Sequence, residues 1–195
     1  MSGFDDYLKS SLAVIEATRR ALDPERIEAA VAAITAALTQ DKPLLICGNG
    51  GSAADAMHIA AELVGRFRET RRALKAIALG ANAAALTAWS NDYDFPSAFA
   101  REVEAFGEPG GVLLAISTSG NSANVLAAAA AARVKGMAVI GLTGETGGRL
   151  TPLVDILLAA PAQATPLVQQ VHLCIYHYLC AEIEARVAAS ERPSA

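Results

Sequence analysis

The sequence predicts an α/β protein: a doubly wound, five-stranded parallel sheet flanked by helices, with a helical extension at the amino terminus. Three observations carry that prediction. Short apolar runs alternate with helical stretches through most of the chain. Two of those runs, 44–47 and 113–116, each lead into a small-polar turn and a helix start. Of the 195 residues, 53% are hydrophobic and only 18% charged, enough apolar surface to cover one sheet on both faces.

Each element follows from its local pattern. Leu8, Leu12 and Ile15, then Ile27, Val31, Ile34 and Leu38, recur at helical spacing, and Asp23-Pro24 divides them, with Asp as cap and Pro at the first helical position. Residues 43–47 read as a strand, followed by a glycine-rich turn and a helix over 52–66. A second strand is expected at 76–79 and a third at 112–116, the latter leading through a Ser/Gly/Asn turn into a helix that ends near 135. Residues 137–142 and 156–159 supply strands four and five, and a long helix over 165–188 completes a single domain, 1–195. Residues 1–40 form the extension. Its apolar face and that of the last helix exceed what one sheet layer buries, which predicts a homo-oligomer.

Composition excludes several function classes. The longest apolar run, 125–132, is far short of the roughly 20 residues a membrane span requires. The first residues, Met1-Ser2-Gly3-Phe4-Asp5-Asp6, are acidic where an export signal would be basic, so a cytoplasmic protein is expected. Cys47, Cys174 and Cys180 are odd in number and sit in apolar stretches, as reduced core thiols would. A net charge of −4 argues against nucleic acid or an anionic membrane as partner. A small anion held by local N–H groups remains compatible with it.

The two strand–turn–helix units are the chemistry-bearing motifs. Gly48-Asn49-Gly50-Gly51-Ser52 and Ser117-Thr118-Ser119-Gly120-Asn121-Ser122 both follow a buried strand. Glycines admit close backbone approach, and free N–H groups at a helix start suit an anion. Helix capping and tight turning explain one such loop alone equally well. Two on neighbouring strand ends favour a phosphate cradle, and Ser117, Thr118, Ser119 and Ser122 make the second the better site. A nucleotide is not expected. Gly48–Ala53 fits the dinucleotide fingerprint, yet the next strand ends Leu79-Gly80-Ala81-Asn82 without the required carboxylate, and neither turn carries the Gly-Lys-Ser/Thr of a P-loop.

Polar residues on helices add a second constellation. His58 and Glu62 share a face at a spacing of four, as a structural pair or as part of a site. His172 and His177, five apart, are poorly placed to serve one centre. Gln170, seven from His177, fits a shared face better than Gln169, at eight, so spacing does not choose Gln169. A His/Glu/Gln/His set contains zinc-type donors, although glutamine is an unusual one.

These motifs together resemble the sugar isomerase (SIS) domain family and its phosphoheptose isomerase branch over nearly the whole chain. The resemblance rests on Cys47–Ser52, Asp55-Ala56-Met57-His58, 62–67, Asn91-Asp92, 116–124, 142–144, and Gln169 with His177. It implies the SIS fold, flavodoxin-like in type, and conversion of sedoheptulose 7-phosphate to D-glycero-D-manno-heptose 7-phosphate, an early step toward lipopolysaccharide heptose. It further implies substrate contacts at Asn49, Gly50, Gly51, Ser52, Glu62, Asn91, Asp92 and Gln169, with the phosphate on Ser117, Thr118, Ser119 and Ser122. Glu62 and His177 would be the acid/base pair, His58, Glu62, Gln169 and His177 would hold one zinc per subunit, and the assembly would be a homotetramer. One family feature is missing: Thr165-Pro166-Leu167-Val168 lacks the basic residue often found before the glutamine, a contact Thr165 would replace only in part. Within the same family the alternatives are a non-catalytic protein that binds a replication initiator, a sugar-phosphate-sensing regulator, or an isomerase of another sugar phosphate. Glu62 and His177 favour the isomerase over the first two.

Overall fold

The computed structural model describes residues 3–191. Helices α1 (Phe4–Ala21) and α2 (Pro24–Thr39) lead into β1 (Leu44–Cys47), α3 (Gly51–Val64), β2 (Ala76–Ala78), α4 (Ala83–Asp92) and α5 (Ala98–Phe106). Next come β3 (Val112–Ser117), α6 (Ala123–Val134), β4 (Ala138–Thr143), a 3₁₀ turn (Gly148–Leu153), β5 (Ile156–Ala159) and α7 (Thr165–Glu191). As the sequence predicts, the five strands form one sheet, all parallel, in the order β2-β1-β3-β4-β5. Asp23 caps α2 by accepting the Glu25 N–H at 2.9 Å, with Pro24 in the first turn.

Strand residues alternate between the two faces, as the pleat demands. Leu44, Ile46, Leu114, Ile116, Ile140 and Leu142 pack with Ile34 and Leu38 of α2, Ile59 and Leu63 of α3, and Tyr176 and Leu179 of α7. Leu45, Cys47, Leu113, Ala115 and Val139 face the other way, toward Phe99 and Val103 of α5 and Val125, Ala128, Ala129 and Ala132 of α6. The alanine-rich composition of α6 therefore has a packing reason: small side chains bring the helix axis close to the sheet.

Three features depart from the sequence expectations. Helices α4 and α5 occupy a stretch read without helices. The last helix runs three residues further than expected. Cys174 is exposed on this chain, while Cys47 and Cys180 are buried, so it is not the core thiol that its apolar neighbours suggested. Among the described residues no helix is long and apolar enough to cross a membrane.

Strand order reverses at β1, because β2 lies on one side of it and β3 on the other. A crevice opens at the carboxyl ends of strands on either side of such a reversal. Cys47 pairs with Ala115 in the β1–β3 register, so the two turns that follow these strands face each other across that crevice.

Candidate active site

The first turn is shaped by atoms that are absent. Gly50 adopts φ 57° and ψ −121°, a backbone region costly for any side chain. A Cβ at Gly48 would lie 2.7 Å from the Ser52 carbonyl oxygen, and one at Gly51 would lie 2.5 Å from Gln169 Nε2. Gln169, the fifth residue of α7, thus seats its amide directly on the start of α3.

The second turn presents hydroxyls. Ser117 Oγ, almost fully buried, lies 3.1 Å from Ser122 Oγ, and Thr118 Oγ1 lies 3.5 Å from Thr165 Oγ1. Ser119 is different: its Oγ accepts the Asn121 N–H at 3.1 Å and its carbonyl accepts Asn121 Nδ2 at 2.8 Å, so it braces the turn from inside. The two turns are joined by Asn49 and Asn124, whose side-chain amides each donate to the other's oxygen at 2.8 Å. Between them lies a cavity of about 300 Å³ lined by Asn49, Gly50, Gly51, Ser52, Ser117, Thr118, Ser122, Thr165 and Gln169. Eight of the residues expected from the sequence to contact substrate or its phosphate come together here, at the amino-terminal ends of α3 and α6, where backbone N–H groups and helix dipoles favour an anion. Ser119 is not on the cavity wall.

Further along α3 stands a cluster of titratable groups. His58 Nε2 is 3.1 Å from Glu62 Oε1, and His58 Nδ1 is 3.1 Å from the Tyr176 hydroxyl, which donates at 3.4 Å to Asp55 Oδ1. The His177 ring lies edge-on to His58 with centroids 5.1 Å apart, and Phe67 stacks on it at 5.8 Å and 29°. Glu62, His58 and His177 therefore form one row, although they come from helices more than a hundred residues apart. Burial raises the Asp55 carboxyl above its ordinary value, against the opposing pull of the Tyr176 hydrogen bond and the two imidazoles. Burial first, then the Asp55 charge, pushes the Tyr176 phenol up.

The cluster bears on the zinc expectation. With the Tyr176 hydroxyl donating to Asp55, its oxygen is free to accept from His58 Nδ1, the tautomer that turns the Nε2 lone pair toward the Glu62 carboxylate. In that tautomer His58 Nε2 and Glu62 Oε1, 3.1 Å apart, offer two ligand atoms to one point. The edge of a zinc tetrahedron with bonds of about 2.1 Å is about 3.4 Å. The pair and its orienting Tyr176–Asp55 support thus fit zinc-type ligation. The donor set is not closed in this chain, since no three His, Cys, Asp or Glu groups among the described residues are arranged to hold a metal, and Gln169 lies instead at the cavity.

Other residues fall elsewhere. His172 is buried, with Nε2 3.0 Å from the Thr143 carbonyl oxygen, and burial lowers its pKa to about 4 despite that hydrogen bond, so it is a neutral core residue. Gln170 donates to the Tyr7 hydroxyl at 2.7 Å, tying α7 to α1. The structure thus distinguishes the two glutamines that spacing could not. Asn91 donates to Asp92 at 2.9 Å at the exposed end of α4, and Asp92 lines a separate cavity with Trp89, Arg101 and Glu102. This chain alone does not bring either to the turns. Sequence reasoning missed Tyr176, Asp55 and Phe67 as partners of the histidines. The only available signal for them was their nearness to His58, Glu62 and His177 in the chain.

The SIS domain family model matches residues 6–144. A phosphoheptose isomerase of Crocosphaera subtropica is 56% identical over 146 residues, covering 75% of this chain and 74% of that protein. One from Bradyrhizobium sp. strain BTAi1 is 50% identical over 186 residues, 93% of this chain and 94% of its own. The solved phosphoheptose isomerase of Neisseria gonorrhoeae superposes with a TM-score of 0.86 at 40% identity, covering 92% of this chain and 96% of that one.

Proposed function

This chain belongs to the SIS domain family, within its phosphoheptose isomerase branch, and we propose that it interconverts sedoheptulose 7-phosphate and D-glycero-D-manno-heptose 7-phosphate in the supply of heptose for lipopolysaccharide. The observation that carries the mechanism is the row Glu62–His58–His177 on the same helices, α3 and α7, that supply Gly51, Ser52 and Gln169 to a hydroxyl-lined cavity.

The phosphate is held by Ser117, Thr118 and Ser122 and by N–H groups at the starts of α3 and α6. Glu62 takes a proton from C1 of the ketose and returns it to C2, through an enediol in which the C2 carbonyl has become a hydroxyl. His177 moves the matching proton between the two oxygens, so atoms balance without redox change. Zinc, for which the resemblance names His58, Glu62, His177 and Gln169, would supply Lewis-acid stabilisation of the negative charge that builds on those oxygens, and the approach of Gln169 from the cavity wall to close the donor set is part of this proposal.

Completion of the site by other copies of the chain, in a homotetramer, is part of this proposal. Met57 and Val64, exposed beside His58 and Glu62, and Leu173 and Tyr178, exposed beside His177, support it, as do Phe4 and Leu12 of α1 at 76% and 68% exposure. Asn91 and Asp92 would then reach a site formed with another subunit. A cytoplasmic enzyme fits this substrate.

The test is aldose formation by the purified chain from ketose phosphates of five, six and seven carbons. The expected result is turnover with the seven-carbon substrate at a kcat/KM at least about tenfold above the shorter ones, the scale of one or two lost contacts. Absence of aldose from all three substrates would overturn the proposal. Elemental analysis should find about one zinc per subunit, and chelation should abolish turnover.

A further inference from the structure

Behind the acid/base row lies a buried ion pair that the mechanism does not use. Arg71 Nη2 and Glu184 Oε1 are 3.2 Å apart, with side chains only 0% and 1% exposed. Glu184 stands two turns beyond His177 on α7. Its carboxylate also accepts backbone N–H groups from Phe67 at 2.9 Å, Arg68 at 2.6 Å and Glu69 at 2.9 Å. Burial would raise this carboxyl, but the three N–H donors and Arg71 outweigh it and hold it below its ordinary value. Arg71 in turn donates to the carbonyls of Glu62 at 2.9 Å, Gly65 at 3.0 Å and Arg72 at 2.9 Å, so a cation sits where the α3 carbonyls end.

What this pair fixes is the 65–73 loop between α3 and β2. At one end the loop is tied to the backbone of Glu62, and in its middle it presents Phe67 to the His177 imidazole at 5.8 Å. Buried ion pairs are weak devices for stability, because apolar replacements of similar volume often do as well or better. They are strong devices for geometry, since the ion pair and three hydrogen bonds allow one arrangement of the carboxylate.

The geometry points to Arg71 and Glu184 as positioning residues of the isomerase, which hold the Glu62 turn of α3 and the Phe67 face of His177 in one register. This inference rests on the reading of Glu62 and His177 as the acid/base pair, so its test has one arm that does not depend on turnover.

The variants are Glu184→Gln, the paired Arg71→Met with Glu184→Leu, and Phe67→Leu, which removes the ring contact and leaves the ion pair intact. The readouts are kcat and KM for sedoheptulose 7-phosphate and the imidazole C–H resonances of the three histidines. In the parent protein the Phe67 ring current is expected to displace the His177 signal, while the His172 signal reports the core. In all three variants the His177 signal is expected to move toward its unstacked position with His172 unchanged, and kcat to fall about tenfold or more with KM within about twofold. Should Glu184→Gln fail to fold, the paired variant, which leaves no charge unpaired, and Phe67→Leu decide the matter. A folded paired variant with the parental kcat and His177 signal would overturn the proposal and leave the ion pair a purely structural element. A parent protein without isomerase activity would refute the function reading, while the movement of the His177 signal would still decide the positioning role.

Discussion

Two strand–turn–helix units stand side by side in this molecule, nearly alike in sequence pattern and unlike in what they deliver. The β1 turn is defined by glycines and packed against Gln169, and its helix, α3, carries His58 and Glu62. The β3 turn is defined by hydroxyls, and its helix, α6, is an alanine-rich rod buried against the sheet. One architectural motif has been divided between chemistry and anchoring. The side chains beyond the first turn of the helix decide which role each unit takes.

The largest expected effect tests the chemical half. Glu62→Gln keeps the shape of the side chain and removes its basicity, so kcat for the heptose phosphate should fall by about 10² to 10⁴, the usual contribution of a general base. Calorimetric affinity for inorganic phosphate should stay within about twofold. A parallel loss of phosphate affinity would erase the division of roles.

The next effect breaks the anchoring half by its backbone. Gly120 sits at φ 66°, and a Cβ there would overlap the Gly147 carbonyl, so Gly120→Ala should cost about 3 kcal/mol or more in urea denaturation. Gly51→Ala in the other turn meets only the movable end of the Gln169 side chain. It should leave stability within about 1 kcal/mol and act on KM instead.

A smaller effect lies in the bridge. Asn49→Leu or Asn124→Leu orphans the partner amide at a cost of about 1–3 kcal/mol, and the double variant should lose less than the sum of the two. Additive losses in denaturation would mean that the turns are not coupled through this pair. The finest distinction lies within the second turn. Ser122→Ala should raise KM about tenfold by removing one hydrogen bond to a charged group, whereas Ser119→Ala, off the cavity wall, should change it less than about twofold.

Much of this was legible in the chain. The five strands, the Asp23-Pro24 break and α3 announce themselves by apolar runs bounded by punctuating residues, because a parallel sheet buried on both faces leaves continuous apolar strands. Helix α4 gives no such signal, since none of its residues is buried and periodicity records burial. Helix α5 did carry one: Phe99 and Val103 at a spacing of four, between Pro96 and Gly107. Nine residues set in a long stretch without a neighbouring strand were too few to be read. The turns of the site were visible because each is contiguous. The Glu62–His58–His177 row, like the choice of Gln169 over Gln170, rested on resemblance alone, since spacing along the chain does not show a contact that exists only when α3 and α7 pack. Arg71 and Glu184 were invisible for the same reason, as three of the carboxylate's four partners are backbone N–H groups without side-chain identity.

The reciprocal amides of Asn49 and Asn124 have one more consequence. Each side chain gives the other one donor and one acceptor, so neither turn can swing outward without stranding a donor and an acceptor together. The anion pocket is therefore preorganised: an arriving phosphate finds walls already in place and spends little of its binding free energy on reorganising them.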